Sequence, residues 1–341
     1  MHYWYWYAVK SQSYGRSDRS TGKNCNVKIS YLSIVICLFF CRLLCLFIRL
    51  RLAFMAKKIA FGWYGGKYSH LDWLLPLLPS TTHYCEPFGG SAAVLLNREP
   101  SPVETYNDID GEVVNFFRVL REQKDALIEA IGLTPFSREE FRTAIAIKEE
   151  DLSDLERSRR FFVRARQVRT GLAQTASEGR WAHCKLTSRA NMAGAVSRWL
   201  GSVEGLSEIV QRLLRVQIEN DTATEVIRRY DSQETLFYCD PPYPHDSRGG
   251  KAYAYEMTDN EHRELAHVLR SIQGKVALSG YDCQLMQELY GDWKCIKAPL
   301  KHCHSIKELR QEVLWVNYDL DWATHNLDES ECSQHRQLSL M

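Results

Sequence analysis

Charge of one sign is what this sequence most clearly lacks. Its 341 residues hold 43 Lys and Arg against 42 Asp and Glu, a formal net charge of +1. A bulk attraction to nucleic acid or to an acidic surface is therefore not written into the chain as a whole, and such a partner must be read from local patches. Paired cysteines are missing as well. The eleven cysteines form no C-x-x-C pair, three of them (Cys37, Cys41 and Cys45) share one apolar stretch, and most of the others sit beside apolar residues. This excludes a disulfide framework and fits the reduced thiols of a cytoplasmic protein. Cys303 stands between His302 and His304, with Cys295 upstream. Adjacent residues on a strand point to opposite faces, so one ion would not take all three, and no metal is expected. The sequence has no full G-x-G-x-x-G, which disfavours an ordinary dinucleotide fold. It has no internal repeat either.

A clean membrane span is also missing. Residues 31–54 are strongly apolar, but Arg42, Arg49 and Arg51 interrupt them. A spanning helix wants about 20 mostly apolar residues, and a central arginine is costly. The run lies too far from the start for an ordinary signal peptide, and no small-residue cleavage site comes after it. The preceding residues 1–30 are polar, aromatic-rich and patternless. Then MAKKIAF, opening at Met55, looks like a natural protein start. We expect residues 1–54 to be translated upstream sequence, with a membrane anchor as the competing reading. Mass spectrometry of the native N-terminus separates the two.

From Met55 onward, strand and helix signals alternate. THYCEPF (82–88), VETYND (103–108), ETLFYCD (234–240), GKVALSG (274–280), WKCIKAP (293–299) and EVLWVNYD (312–319) predict strands. SAAVLLNRE (91–99) and residues 111–131 predict helices, the second amphipathic. TDNEHRELAHVLRSI (258–272) opens with Thr258 and Glu261 in the spacing of a capping box. Alternation of this kind implies a doubly wound α/β sheet.

The middle differs. Residues 135–204 show helical pattern and no clear strand. Between Arg157 and Arg198 there are ten basic residues and one acid, Glu178, with aromatic and small polar residues interleaved. A neutral protein with one basic segment has the electrostatic footprint of a nucleic-acid binder, although a solvated helix face is the usual fate of a charge run. Arg164, Arg166, Arg169, Arg180, Lys185 and Arg189 are the candidate DNA contacts. The tail from 321 to 341 is polar.

Three stretches carry the chemistry. In EPFGGSAAV (86–94) a strand end, two glycines and a helix start lie where such a sheet binds a nucleotide-like ligand. In YNDID (106–110), about 20 residues on, an acid at the next strand end can accept hydrogen bonds from ribose hydroxyls; Asp108 is the choice, and Asp110 suits a helix N-cap. In DPPY (240–243) two prolines fix the backbone behind Asp240. A carboxylate and a rigid carbonyl aimed at one spot suit an exocyclic amino group with two N–H donors. Acceptors there stabilise the positive charge that develops when the nitrogen attacks. Tyr243 can stack on the base, which must first leave the duplex.

Through WYGGK (63–67), EPFGGSAAV, NDIDGEVVNFFRVLRE, DPPY and GKVALSGYDCQLMQELYGDW, the chain from about Met55 to Asp319 resembles the Dam-type DNA adenine N6-methyltransferases, including forms common in phages and prophages. The resemblance implies a Rossmann-like S-adenosyl-L-methionine-dependent sheet over 55–134 and 205–320, with residues 135–204 as a helical target-recognition insertion. It implies that Trp63, Gly65, Gly66 and Lys67 line the methionine end of the cofactor. Glu86, Pro87, Phe88 and Gly90 would form the central cofactor loop, and Asp108 would hold the ribose. Asn220 or Asp221 would be a further cofactor contact. Asp240, Pro241, Pro242 and Tyr243 would surround the adenine. The implied partner is double-stranded DNA, met by a monomer without metal. Tyr64, where small residues are frequent, and Ala92, where glycine is common, depart from the pattern. The open alternatives are another amino acceptor (cytosine N4, RNA or a protein glutamine) and a catalytically weak DNA-binding protein.

Overall fold

The computed structural model describes residues 57–146, 152–169, 173, 175–244, 255–300 and 311–320. The segment 1–54, the trio His302 to His304 and the tail 321–341 lie outside the described residues. No helix among the described residues is long and apolar enough to cross a membrane.

The helices in chain order are α1 (Leu71–Leu74), α2 (Ala93–Asn97), α3 (Gly111–Glu122), α4 (Lys124–Gly132), α5 (Arg138–Ile145), α6 (Asp154–Gln167), α7 (Gly194–Glu204), α8 (Leu206–Leu213), α9 (Ala223–Arg229), α10 (Asp259–Ser271) and α11 (Gln284–Tyr290). The strands are β1 (His83–Glu86), β2 (Val103–Asn107), β3 (Ser188–Arg189), β4 (Met192–Ala193), β5 (Gln217–Glu219), β6 (Thr235–Cys239), β7 (Lys275–Tyr281), β8 (Lys294–Lys297) and β9 (Glu312–Val316). Seven of them form one sheet in the order β5-β2-β1-β6-β7-β9-β8. The first five pair in parallel, and β9 runs antiparallel to both β7 and β8.

Every residue of β6 and β9 is buried. That is what a sheet covered on both faces requires, and it explains their unbroken apolar runs. The period of two splits each strand between two cores. Leu236 and Tyr238 face one cluster, together with Tyr84, Tyr106 and the aromatics of α3 and α6. Phe237 and Cys239 face the other, against Val226 of α9, Leu265 and Leu269 of α10, and Trp315.

Three expectations change. The helix over 111–131 is two helices, because Gln123 leaves helical geometry (φ −127°, ψ 42°). The apolar period carries across the break, with Leu127 and Ile131 buried in the same core as Leu120, so the pattern gave no sign of it. The middle segment does contain strands: β3 and β4 make a small hairpin, turned through Ala190 and Asn191 at φ 50° and 58°. Two left-handed residues suit a tight hairpin, but Ala-Asn lacks the glycine that would announce it. The short edge strand β5 is the third, since its three residues carry no strand signal of their own.

The middle segment shares the main core. Phe161, Phe162 and Trp199 bury beside Phe61, Phe116 and Phe117, and Phe116 stacks on Phe162 at 5.6 Å. Its charge is less one-sided in space than in sequence. Arg157 pairs with Glu112 and Asp154, Arg159 with Glu140 and Glu156, and Arg160 with Glu156.

Candidate active site

Strand order reverses beside β1: the chain steps from β1 to β2 on one side and returns to β6 on the other. The crevice outside the carboxyl ends of strands at such a point is where open α/β sheets bind ligands. Glu86 ends β1, Asp108 comes directly after β2, and Asp240 directly after β6. All three line one cavity of about 500 Å³. Trp63, Gly66, Lys67, Pro87, Phe88, Gly90 and Pro242 line it as well. Gly65, Pro241 and Tyr243 do not, and neither do Asn220 and Asp221, whereas Thr222, Ala223 and Thr224 just beyond them do. Asn220 instead donates to the Asp108 carbonyl at 2.8 Å, and Asp221 is paired with Arg229.

The glycine loop is built for close approach. Gly90 has φ +48°, and a Cβ there would lie 2.7 Å from Trp63 Nε1. A Cβ on Gly89 would lie 2.1 Å from the Tyr106 ring, whose hydroxyl donates to the Gly90 carbonyl at 2.8 Å. Ala92 also sits in the left-handed region, at φ 54°, where a side chain costs about 1 kcal/mol. Glycine's advantage at that position is thus visible in the backbone. Gly90→Ala is expected to displace Trp63 and weaken ligand binding in this cavity at least about tenfold, a drop that calorimetric titration would read. Unchanged affinity would show that the loop tolerates the methyl.

The two aspartates of YNDID divide their work. Asp110 caps α3, accepting from the Glu112 N–H at 3.0 Å. Asp108 reaches the cavity, and its carboxylate accepts from the N–H groups of Gly90 and Asp110, both at 2.8 Å. Burial nevertheless pushes its pKa up to about 6. Glu86 goes further, to about 8, because burial outweighs the Tyr84 hydroxyl that donates to it at 2.6 Å and the Leu95 N–H.

A carboxyl whose pKa rises on folding favours the fold while it is protonated. That contribution is complete below its unfolded value, near 4.5, and is lost as pH climbs to about 8. Glu86→Gln keeps the shape without the charge. We expect its ligand-free stability to fall less between pH 5 and pH 8 than the parent's, by about 3 kcal/mol. Urea unfolding at both pH values tests this, and parallel pH profiles would place the proton elsewhere.

Asp240 is the centre of a buried polar cluster. Lys67 Nζ donates to its two oxygens at 2.7 and 2.8 Å and to the Gly65 carbonyl at 2.7 Å, and lies 3.1 Å from Glu312 Oε1. The Tyr243 hydroxyl donates to Glu312 and, at 3.2 Å, to Asp240. Burial raises the Asp240 pKa and the Glu312 charge adds to this, while Lys67 opposes it. Two of the expected residues have further contacts in this arrangement. Lys67, read as a cofactor residue, lines the cavity and also holds the Asp240 carboxylate. Tyr243, read as a stacking platform, is 5% exposed behind the cavity wall, edge-on to Tyr281 at 4.8 Å.

The candidate DNA contacts divide too. Arg180, Lys185 and Arg189 are exposed, and Arg169 is exposed beside His183 at 3.2 Å. Arg166 is half-buried. Arg164 is a correction: it is 8% exposed, donates to the Ala144 carbonyl at 2.9 Å and faces Glu112 at 3.7 Å, so it ties α6 to α5 and α3 rather than presenting a charge outward. Sequence reasoning missed Glu312 and the wall supplied by Tyr255, Met257 and Leu265. An acid opening an otherwise apolar strand, EVLWV, was the available signal for Glu312.

A family model described as D12 class N6 adenine-specific DNA methyltransferase matches residues 63–311. The chain is similar to the type II methyltransferase M1.LlaDCHI of Lactococcus lactis subsp. cremoris, at 24% identity over 284 residues, 75% of this chain and 94% of that protein. It is also similar to the DNA adenine methylase of Vibrio cholerae serotype O1, at 36% identity over 77 residues, 22% of this chain and 27% of that protein.

Proposed function

The chain belongs to the D12 class of N6 adenine-specific DNA methyltransferases, and from that premise we propose that it transfers the methyl group of S-adenosyl-L-methionine to N6 of a flipped-out adenine within a short DNA motif. The observation that carries this reading is the shared cavity: a glycine loop, a carboxylate after β2 and Asp240 all face one space. The fit to the cofactor rests on that space. Gly89 and Gly90 line the space with backbone alone, and Asp108 offers a carboxylate for ribose hydroxyls. Bound there, the cofactor would supply a methyl group on a positively charged sulfur.

The protein's part is electrostatic. An aromatic amine is a poor nucleophile because its lone pair is drawn into the ring. Asp240 would accept a hydrogen bond from the N6 amino group and stabilise the charge that grows on nitrogen. The Lys67 ammonium now holds both Asp240 oxygens, so the amino group takes one over as Lys67 leans toward Glu312, 3.1 Å away. Pro242 narrows the same wall. We assign residues 55–134 and 205–320 to catalysis and 135–204 to target recognition, in a cytoplasmic monomer that needs no metal. The chain would be expressed in a methylation-deficient host and the host's DNA sequenced by a long-read method. Modified adenine in one recurring motif is the expected outcome. No modification, from soluble protein that binds S-adenosyl-L-methionine, would overturn the choice of acceptor.

A further inference from the structure

A second cavity, of about 310 Å³, opens between the end of α6 and the start of α7, away from the glycine loop. Phe136, Val168, Ala182 and Ala195 give it an apolar wall, and its polar lining is three arginines: Arg166, Arg169 and Arg198. No described carboxylate lines it. Arg166 is the unusual member. Its Nε is shut off from solvent and has no hydrogen-bond partner among the described residues. Burial pushes its guanidinium down to about 10, and no carboxylate is among the groups that oppose this. Its guanidinium lies 5.9 Å from the Phe162 ring centroid, at the outer limit of a cation–π contact.

A half-buried cation without a counter-charge is costly, and proteins normally pair or expose such groups. Here the surroundings favour an anion from a second direction. Ala195 stands in the first turn of α7, an eleven-residue helix whose amino end has no side-chain cap. The Gly194 N–H is taken by the Thr187 carbonyl at 2.9 Å, and the N–H groups that follow it at a helix start attract negative charge. Arg198 lies one turn further along, where residues three apart share a face.

We propose that Arg166 and Arg198, with Arg169 at the rim, form a pocket for a single phosphate group, supplied by the backbone of the DNA duplex. This rests on the DNA-methyltransferase reading above for its source of phosphate. A neutral guanine edge could also bond to arginine, but it would leave the Arg166 charge uncompensated. The pocket is joined to the catalytic side through α6. Phe161, on that helix, lies 6.3 Å from Trp63 of the cofactor cavity. A phosphate held here would therefore fix the duplex against the element that backs the cofactor loop.

The test is the salt dependence of binding to duplexes of unrelated sequence, read by fluorescence anisotropy between about 50 and 200 mM salt for the parent, Arg166→Gln, Arg198→Gln and the double variant. One lost phosphate contact lowers the slope of log affinity against log salt by about 0.9. Each single variant should approach that loss and bind roughly tenfold more weakly on every sequence. The double variant should lose no more slope than one phosphate carries, because both arginines hold the same group. Arg198 is exposed, so its variant reports even if Arg166→Gln fails to fold. Unchanged slopes overturn the proposal. A loss confined to particular sequences overturns it in favour of a base contact, and a double loss near two overturns the shared pocket. If the parent binds no duplex, the DNA reading itself fails; thermal stabilisation by inorganic phosphate, absent in Arg198→Gln, would then keep the anion pocket, and no stabilisation would remove it.

Discussion

Asp240→Asn is expected to lower kcat for adenine methylation by about a thousandfold while duplex affinity and cofactor affinity stay within a few-fold of the parent. The substitution changes one atom and one charge. Its effect should fall on the step in which N6 becomes positive, because that is where a fixed anion in a dry site is worth most. Binding should survive, because the exposed basic residues of the middle segment and the glycine loop do not depend on Asp240. The neighbouring Lys67 would keep Glu312 and the Gly65 carbonyl as acceptors, so the fold loses little. Single-turnover methylation separates the chemical step from product release. A rate within tenfold of the parent would remove Asp240 from the chemistry, and a parallel collapse of cofactor binding would make it a cofactor residue instead.

The reason Asp240 could be read from the sequence at all is local. A fully buried strand, TLFYC, stops at a carboxylate, and two prolines lock the next two positions; no turn needs that combination. Asp108 was legible for a similar reason, since its strand end and the next helix start are contiguous. Glu312 was not, because its partners are remote in sequence: Lys67 is bound across the sheet, and Tyr243 donates from the loop after β6. Arg164 shows the opposite failure. Counting charge between Arg157 and Arg198 left out Glu112, Glu140, Asp154 and Glu156, the acids that meet that face in space. Yet Phe161, Arg164 and Val168 fall at the spacing of one helix face, and all three are buried. Phe162, Val163, Ala165 and Gln167 are buried as well, so this stretch is covered on most of its faces and a charge count alone misleads. The break at Gln123 and the Ala-Asn hairpin turn had no such signal, being imposed by packing on residues that neither require nor forbid them.

Lys67→Met should expose what the buried cluster costs. Lys67 is 3% exposed and is the cation shared by two carboxylates whose own exposures are 17% and 8%. Removing one partner of such a group is far more damaging than never having built it, because the remaining charge is stranded away from water; about 3–5 kcal/mol is the usual scale. Here two anions would be stranded together, tied through the Tyr243 hydroxyl. Asp240 already has a raised pKa despite Lys67, and without the ammonium it must rise further. This fixes the sign of the pH dependence. A raised carboxyl is harmless while protonated and costly once ionised, so the variant should be close to the parent near pH 5 and should lose most of its stability by pH 8. Glu312→Gln in the same chain should restore much of the loss, since it removes the repulsion while keeping an acceptor for Tyr243. Methylation should fall in step at low pH, where a protonated Asp240 cannot serve as an anion for N6. Urea unfolding of both variants across that range is the measurement. An equal loss at pH 5 and pH 8, or no recovery from Glu312→Gln, would mean that Lys67 contributes packing over the Tyr243 ring, 5.1 Å away, rather than charge.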